Sequence, residues 1–115
     1  MKIDDVIQTS LLYDFYGSLL TDRQREVMEL YYGENLSLSE IAAEFSISRQ
    51  GVHDLVKRCD KILSGYEEKL KLVEKFNQTK KMVEEIKELA GQYKKDGDRS
   101  LIDRIEAISE EIGKL

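Results

Sequence analysis

Along most of this chain, apolar residues recur at intervals of three and four, the spacing of one face of an α-helix. Six such stretches can be laid out. The first runs from about Ile3 to Leu19, with Val6, Ile7, Leu11, Phe15 and Leu19 on its apolar face. Thr21 starts the second, because Thr21 and Gln24 have the spacing of a capping box, in which each side chain satisfies a backbone N–H that the first turn leaves without a helical partner. Val27, Met28, Leu30 and Tyr31 supply its stripe, and Gly33 is the expected stop just past its end. A second box, Ser37 with Glu40, opens a short third helix with Ile41, Ala42 and Phe45 inward. Ser46 and Ile47 make a tight turn, and Ser48 is a good N-cap for a fourth helix that begins at Arg49. On that helix Val52, Leu55, Val56, Cys59, Ile62 and Leu63 share one face and are predicted to be buried.

The same stripe continues through Tyr66, Leu70, Val73 and Phe76. It predicts one long helix from Arg49 to about Phe76, with Gly65 tolerated inside it at a cost of about 1 kcal/mol relative to Ala. A fifth helix is expected from about Gln78 to Tyr93, with Met82, Ile86, Leu89 and Tyr93 inward. The run KKDGD at 94–98 is the clearest loop, and Ser100 opens the last helix. Leu101, Ile105, Ile108, Ile112 and Leu115 then form a short a/d seam. That seam fits either packing within the chain or pairing with a second copy.

Composition agrees with an all-α fold: there is no proline, and helix formers dominate. The expected organisation is a helix-turn-helix domain over 1–66, a four-helix core, with a C-terminal helical extension over 67–115 packed on or continuing the fourth helix. No apolar run reaches membrane-spanning length and no signal-peptide pattern is present, so a cytoplasmic protein with no membrane insertion is expected. With one cysteine and one histidine, an internal disulfide is excluded and a Cys/His metal site is not expected. Cys59 reads as a core thiol. No carboxylate pairs with a histidine or nucleophile, and no glycine-rich loop is present to cradle phosphate, so neither an enzyme nor a cofactor is expected.

The third and fourth helices together read as a helix-turn-helix. Arg49, Gln50, His53 and Lys57 fall opposite the apolar face, and such side chains at the start of a helix can read base edges in a major groove. Arg58 and Lys61 are candidates for phosphate contact, as are Arg23 and Arg25 at the start of the second helix. Charge argues the other way. The chain carries 18 basic and 23 acidic groups, net −5, and residues 1–66 carry 7 and 11, net −4. Only residues 48–63 are basic, with Arg49, Lys57, Arg58 and Lys61 against Asp54 and Asp60. Affinity from phosphate neutralisation should therefore be weak and salt-sensitive. The clustered aromatics Tyr13, Phe15, Tyr16, Tyr31 and Tyr32 fall at helical spacing beside Leu and Val, which points to core packing.

The stretch LTDRQREVMELYYGENLSLSEIAAEFSISRQGVHDLVKRCDKIL, residues 20–63, resembles region 4 of bacterial sigma factors. Leu20, Thr21, Arg23, Gln24, Arg25, Glu26, Val27, Ile41, Ala42, Ser48, Arg49, Val52 and Arg58 carry the likeness. Sigma-type modules use the start of the second helix against the DNA backbone, which implies that role for Arg23 and Arg25. Nothing resembles region 2, which melts promoter DNA and binds the polymerase core, so a lone module rather than a complete sigma factor is expected. Over the whole chain, LLYDFYGSLLTDRQ, ELYYGENLSLSEIA, SRQGVHD and KRCDKILSGYEEKL are similar to the YlxM family of small bacterial proteins. That resemblance implies an all-α fold with sigma-region-4-like helices and a C-terminal extension. It also implies a gene beside that of the signal recognition particle protein, and hence a role in that pathway. Two functions follow as expectations: a regulator that binds double-stranded DNA, or an adaptor that contacts protein or RNA of the signal recognition particle pathway without binding DNA. A homodimer through the C-terminal helices would supply the affinity that one module lacks.

Overall fold

The structure, a computed structural model, describes residues 3–115, and side chains from Ile7 onward. The described residues form six α-helices and no strand: α1 Ile3–Tyr16, α2 Asp22–Met28, α3 Leu38–Phe45, α4 Arg49–Leu70, α5 Leu72–Asp96 and α6 Arg99–Gly113. The chain divides into two compact units, Met1–Val73 and Glu74–Leu115.

In the first unit, α4 packs against α1, α2 and α3. Its Val52, Val56, Cys59 and Leu63 are buried, and they meet Leu12, Tyr16 and Leu20 from the α1 region, Val27 and Met28 from α2, and Ile41 and Ala42 from α3. Leu55 and Ile62, expected inside, are half-buried at the margin of this core. Burying a side chain of Val or Leu size is worth about 1.5–3 kcal/mol, so this wall is the main source of the unit's stability.

Three expectations for the first unit are corrected. The first helix ends at Tyr16, and a 3₁₀ turn over Gly17–Leu19 follows. Its buried face is Leu12 and Tyr16; Ile7 and Leu19 are 55% and 54% exposed, and Phe15 is also exposed. The side chain of Val6 lies outside the described residues. The helix has two apolar stripes, and spacing alone cannot say which one α4 covers. Gly33 is not the left-handed stop of the second helix. Instead α2 runs into a π-helical turn over Glu29–Gly33, and Asn35 takes the left-handed conformation with φ 57°. Asn tolerates that region because its short polar side chain bonds locally.

The third correction is the long helix from Arg49 to Phe76. It breaks at Lys71, which is left-handed with φ 56°, while Gly65 stays inside α4. The cause is tertiary. A helix starts with N–H groups that have no partner within it, and here residues from α1 and α4 supply the acceptors. The Leu72 N–H donates to the Tyr16 hydroxyl at 3.0 Å, and the Val73 N–H to Glu67 Oε1 at 2.9 Å. The Tyr16 hydroxyl in turn donates to Glu67 Oε1 at 2.5 Å. Tyr16 is only 1% exposed, and burial with the Glu67 hydrogen bond pushes its pKa up. The chain can therefore restart as α5 six residues earlier than the expected Gln78.

In the second unit Leu89 and Ile108 are buried, and Met82, Ile86, Leu101, Ile105 and Ile112 are half-buried. Tyr93, expected inside, is exposed. Arg104 pairs with Glu85 at 2.9 Å, joining α5 to α6. Gly97, with φ 64°, turns the chain between them as expected, but α5 runs on to Asp96, so of the expected loop at 94–98 only Gly97 and Asp98 lie outside a helix. The cap of α6 is Asp98 rather than Ser100: Asp98 Oδ1 accepts from the Ser100 N–H at 2.9 Å and hydroxyl at 2.8 Å. Those bonds hold the Asp98 carboxyl below its usual pKa.

Tyr16→Phe should leave the Leu72 N–H without its acceptor and Glu67 without one donor inside a partly buried node. The expected loss is about 1–3 kcal/mol of unfolding free energy. It should appear as a lower urea midpoint at unchanged m-value, and an unaltered midpoint would mean the node contributes nothing.

Candidate nucleic-acid interface

Short polar bonds set the angle between α3 and α4. Ser37 Oγ accepts from the Glu40 N–H and Glu40 Oε1 accepts from the Ser37 N–H, each at 3.1 Å. Those bonds also hold the Glu40 carboxyl below its usual pKa. After Phe45 the chain reverses through Ser46, left-handed with φ 54°, and the Ile47 N–H closes the turn on the Ala42 carbonyl at 3.1 Å. Ser48 Oγ then accepts from the Gly51 N–H at 2.9 Å and starts α4. A Cβ on Gly51 would sit 3.1 Å from that hydroxyl oxygen, so the glycine leaves room for the cap.

With one face of α4 buried, Gln50, Asp54, Lys57 and Lys61 fall on the outer side and are exposed. His53 is half-buried beside them. The next residue after Lys57, Arg58, is exposed but points about 100° further round the helix. Arg49 borders a shallow depression of about 490 Å³ whose lining includes Tyr31, Tyr32, Ser37 and Glu40. The eight candidates therefore do not form one patch. Gln50, His53, Lys57 and Lys61 share a strip, Arg49 and Arg58 flank it, and the two arginines of α2 engage neighbours. Arg25 is paired with Asp22 at 2.5 Å, and the Arg23 guanidinium carbon lies 5.7 Å from the centre of the Phe45 ring.

The outer strip is not uniformly positive. Gln50 Nε2 donates to Asp54 Oδ1 at 2.9 Å. His53 Nδ1 is 3.6 Å from the same oxygen and, although buried, makes no hydrogen bond. The Gln–Asp pair was legible in principle, since residues four apart on a helix are neighbours and Gln with Asp is a favourable pair there. Below the strip, the Tyr32 hydroxyl donates to Asp60 Oδ2 at 3.2 Å. Burial raises the Asp60 pKa, and this hydrogen bond partly offsets the rise. Burial and the neighbouring carboxylate raise that of Tyr32. Nothing local in the sequence marked this contact, which joins residues 28 positions apart.

Capped α3, a left-handed turn and an α4 buried along one face define an all-α helix-turn-helix protein. The chain belongs to the family described as "Putative helix-turn-helix protein, YlxM / p13 like", whose profile matches residues 3–105. A UPF0122 protein of Desulforamulus reducens is 54% identical over 84 residues, 73% of this chain and 72% of that protein. UPF0122 protein YlxM of Bacillus subtilis (strain 168) is 42% identical over 109 residues, 94% of this chain and 99% of that protein. A UPF0122 protein of Clostridium botulinum is 50% identical over 90 residues, 75% and 83% respectively. The family is described by its helix-turn-helix and not by a catalytic activity. Among the described residues, no helix is long and apolar enough to cross a membrane.

Because burial places the Asp60 pKa above its unfolded value, the folded state disfavours its ionised form. That penalty is present at neutral pH and disappears once pH falls below the ordinary carboxyl range, where both states are protonated. Asp60→Asn should therefore raise the urea midpoint at about pH 7 and change it little at about pH 3. A lower midpoint at neutral pH would show that the charged form is needed.

Proposed function

We propose that this protein is a DNA-binding helix-turn-helix regulator that acts in the cytoplasm within the signal recognition particle pathway. Residues 1–66 serve as a sigma-region-4-like domain, and α4 docks in the major groove of double-stranded DNA. Arg49, Gln50 and His53 face base edges, Lys57 and Arg58 face phosphates, and Arg23 and Arg25 reach the backbone from α2. The observation that carries the reading is the first turn of α4. It is capped by Ser48, projects from a left-handed turn, and presents exposed Arg49 and Gln50. Helices that read a major groove do so with residues of this kind at that end.

A second reading is an adaptor that keeps the helix-turn-helix but contacts protein or RNA of the same pathway. The pairing of Arg25 with Asp22 and the net charge of −5 favour it, because the first occupies a cation a DNA site would use and the second weakens attraction to phosphate. We propose in addition that the extension mediates homodimerisation. Its second unit buries few side chains and leaves Val83 and Ile102 exposed, apolar surface that a second copy would cover.

If the major-groove reading holds, Arg49→Ala should weaken specific binding by about 1–3 kcal/mol and relax preference at one base pair. Lys57→Ala should weaken binding to every sequence and reduce the salt slope by about 1. Fluorescence anisotropy on genomic fragments at low salt measures both. Folded protein at micromolar concentration that binds no fragment would reject this reading in favour of the adaptor.

Light scattering tests the dimer. A dimer mass at tens of micromolar that becomes monomeric in a Val83→Glu, Ile102→Glu variant is expected, and a monomeric wild type would end the idea.

A further inference from the structure

We propose that Gln50 and Asp54 act together as a fixed acceptor pair that selects a base carrying an exocyclic amine, cytosine or adenine, in the major groove. This rests on the reading of α4 as a major-groove helix. The two side chains are exposed and one helical turn apart, and the Gln50 amide nitrogen is tied to Asp54 Oδ1 at 2.9 Å. Unpaired, a glutamine amide can turn over and offer either its donor or its acceptor. Here the bond to Asp54 draws the nitrogen toward the carboxylate, and the Gln50 carbonyl oxygen and Asp54 Oδ2 are the acceptors that this bond does not use. His53 Nδ1 also lies nearest to Oδ1 of this carboxylate, at 3.6 Å.

Two exposed residues with an oxygen each outside that bond make an acceptor-rich edge. In the major groove the complementary donors are the N4 amine of cytosine and the N6 amine of adenine. Guanine presents only the N7 and O6 acceptors there, and thymine its O4 and methyl group, so either would meet like against like. The carboxylate also repels phosphates, which costs affinity on every sequence. Asp54 thus works in opposite directions on affinity and on discrimination, a combination typical of an element that rejects wrong partners.

That opposition is what the experiment reads. Full-length wild type, Asp54→Ala and the isosteric Asp54→Asn are each used to select from a pool of randomised duplexes at low salt, with helicity checked by circular dichroism. Wild type should prefer cytosine or adenine at one position of a strand over guanine and thymine by about 5- to 150-fold. Asp54→Ala should lose that preference while its binding to unrelated duplex rises. Asp54→Asn, which can also donate, should admit guanine or thymine at the same position. Selection of the wild-type motif by Asp54→Ala would overturn the proposal and leave the major-groove reading standing. Failure of every folded variant to bind any duplex would overturn that reading and this one with it.

Discussion

Val52, Val56, Cys59 and Leu63 stand a turn or less apart on α4, and all four are buried against α1, α2 and α3. Every other feature of the first unit is arranged around that contact. It fixes the rotation of α4 about its own axis, so it determines which polar side chains face out. A helix turned by one residue, about 100°, would bury Gln50 or Lys57 and expose part of the wall. The caps then fix direction: Ser37 and Ser48 start the two helices, and left-handed Ser46 sets the angle between them. Packing and capping together leave the first turn of α4 projecting with its polar residues exposed.

The charges on this surface are distributed in a way that limits non-specific attraction. Arg25 is satisfied by Asp22 and Arg23 stacks near Phe45. Both are exposed or half-exposed contacts of the kind worth about 0–1 kcal/mol to stability, and their main effect is to occupy cations. Asp54 sits in the middle of the outer strip and holds Gln50. In a chain of net charge −5, phosphate neutralisation is a small resource.

Tyr16 links these features to the start of α5. Its ring is in the core, stacked against Tyr66 at 6.0 Å between centroids, and its hydroxyl joins Glu67 and the Leu72 N–H. A single side chain thus contributes to the wall and also ends one helix and starts the next. The sequence shows Tyr16 only as one aromatic among several at helical spacing.

Features set by near neighbours were open to reading from the residues alone. The two capping boxes, the Ser48 cap, the turn at Ser46–Ile47, the glycine turn at Gly97 and the buried stripe on α4 all depend on residues within a turn or two of each other. Their chemistry is complete without the rest of the chain. The departures share the opposite property. Which stripe of α1 is covered, where α4 breaks, and what ties Tyr32 to Asp60 depend on partners 28 to 56 residues away. Among the candidate site residues, the sequence determined their order along the helix and their separation from the apolar face. Only the tertiary structure decided that Arg49 borders a depression beside Tyr31 and Tyr32 and that Arg23 lies over the Phe45 ring. The physical reason is that helical periodicity fixes the side of a helix on which a residue lies, while its contacts depend on what else the fold brings to that side.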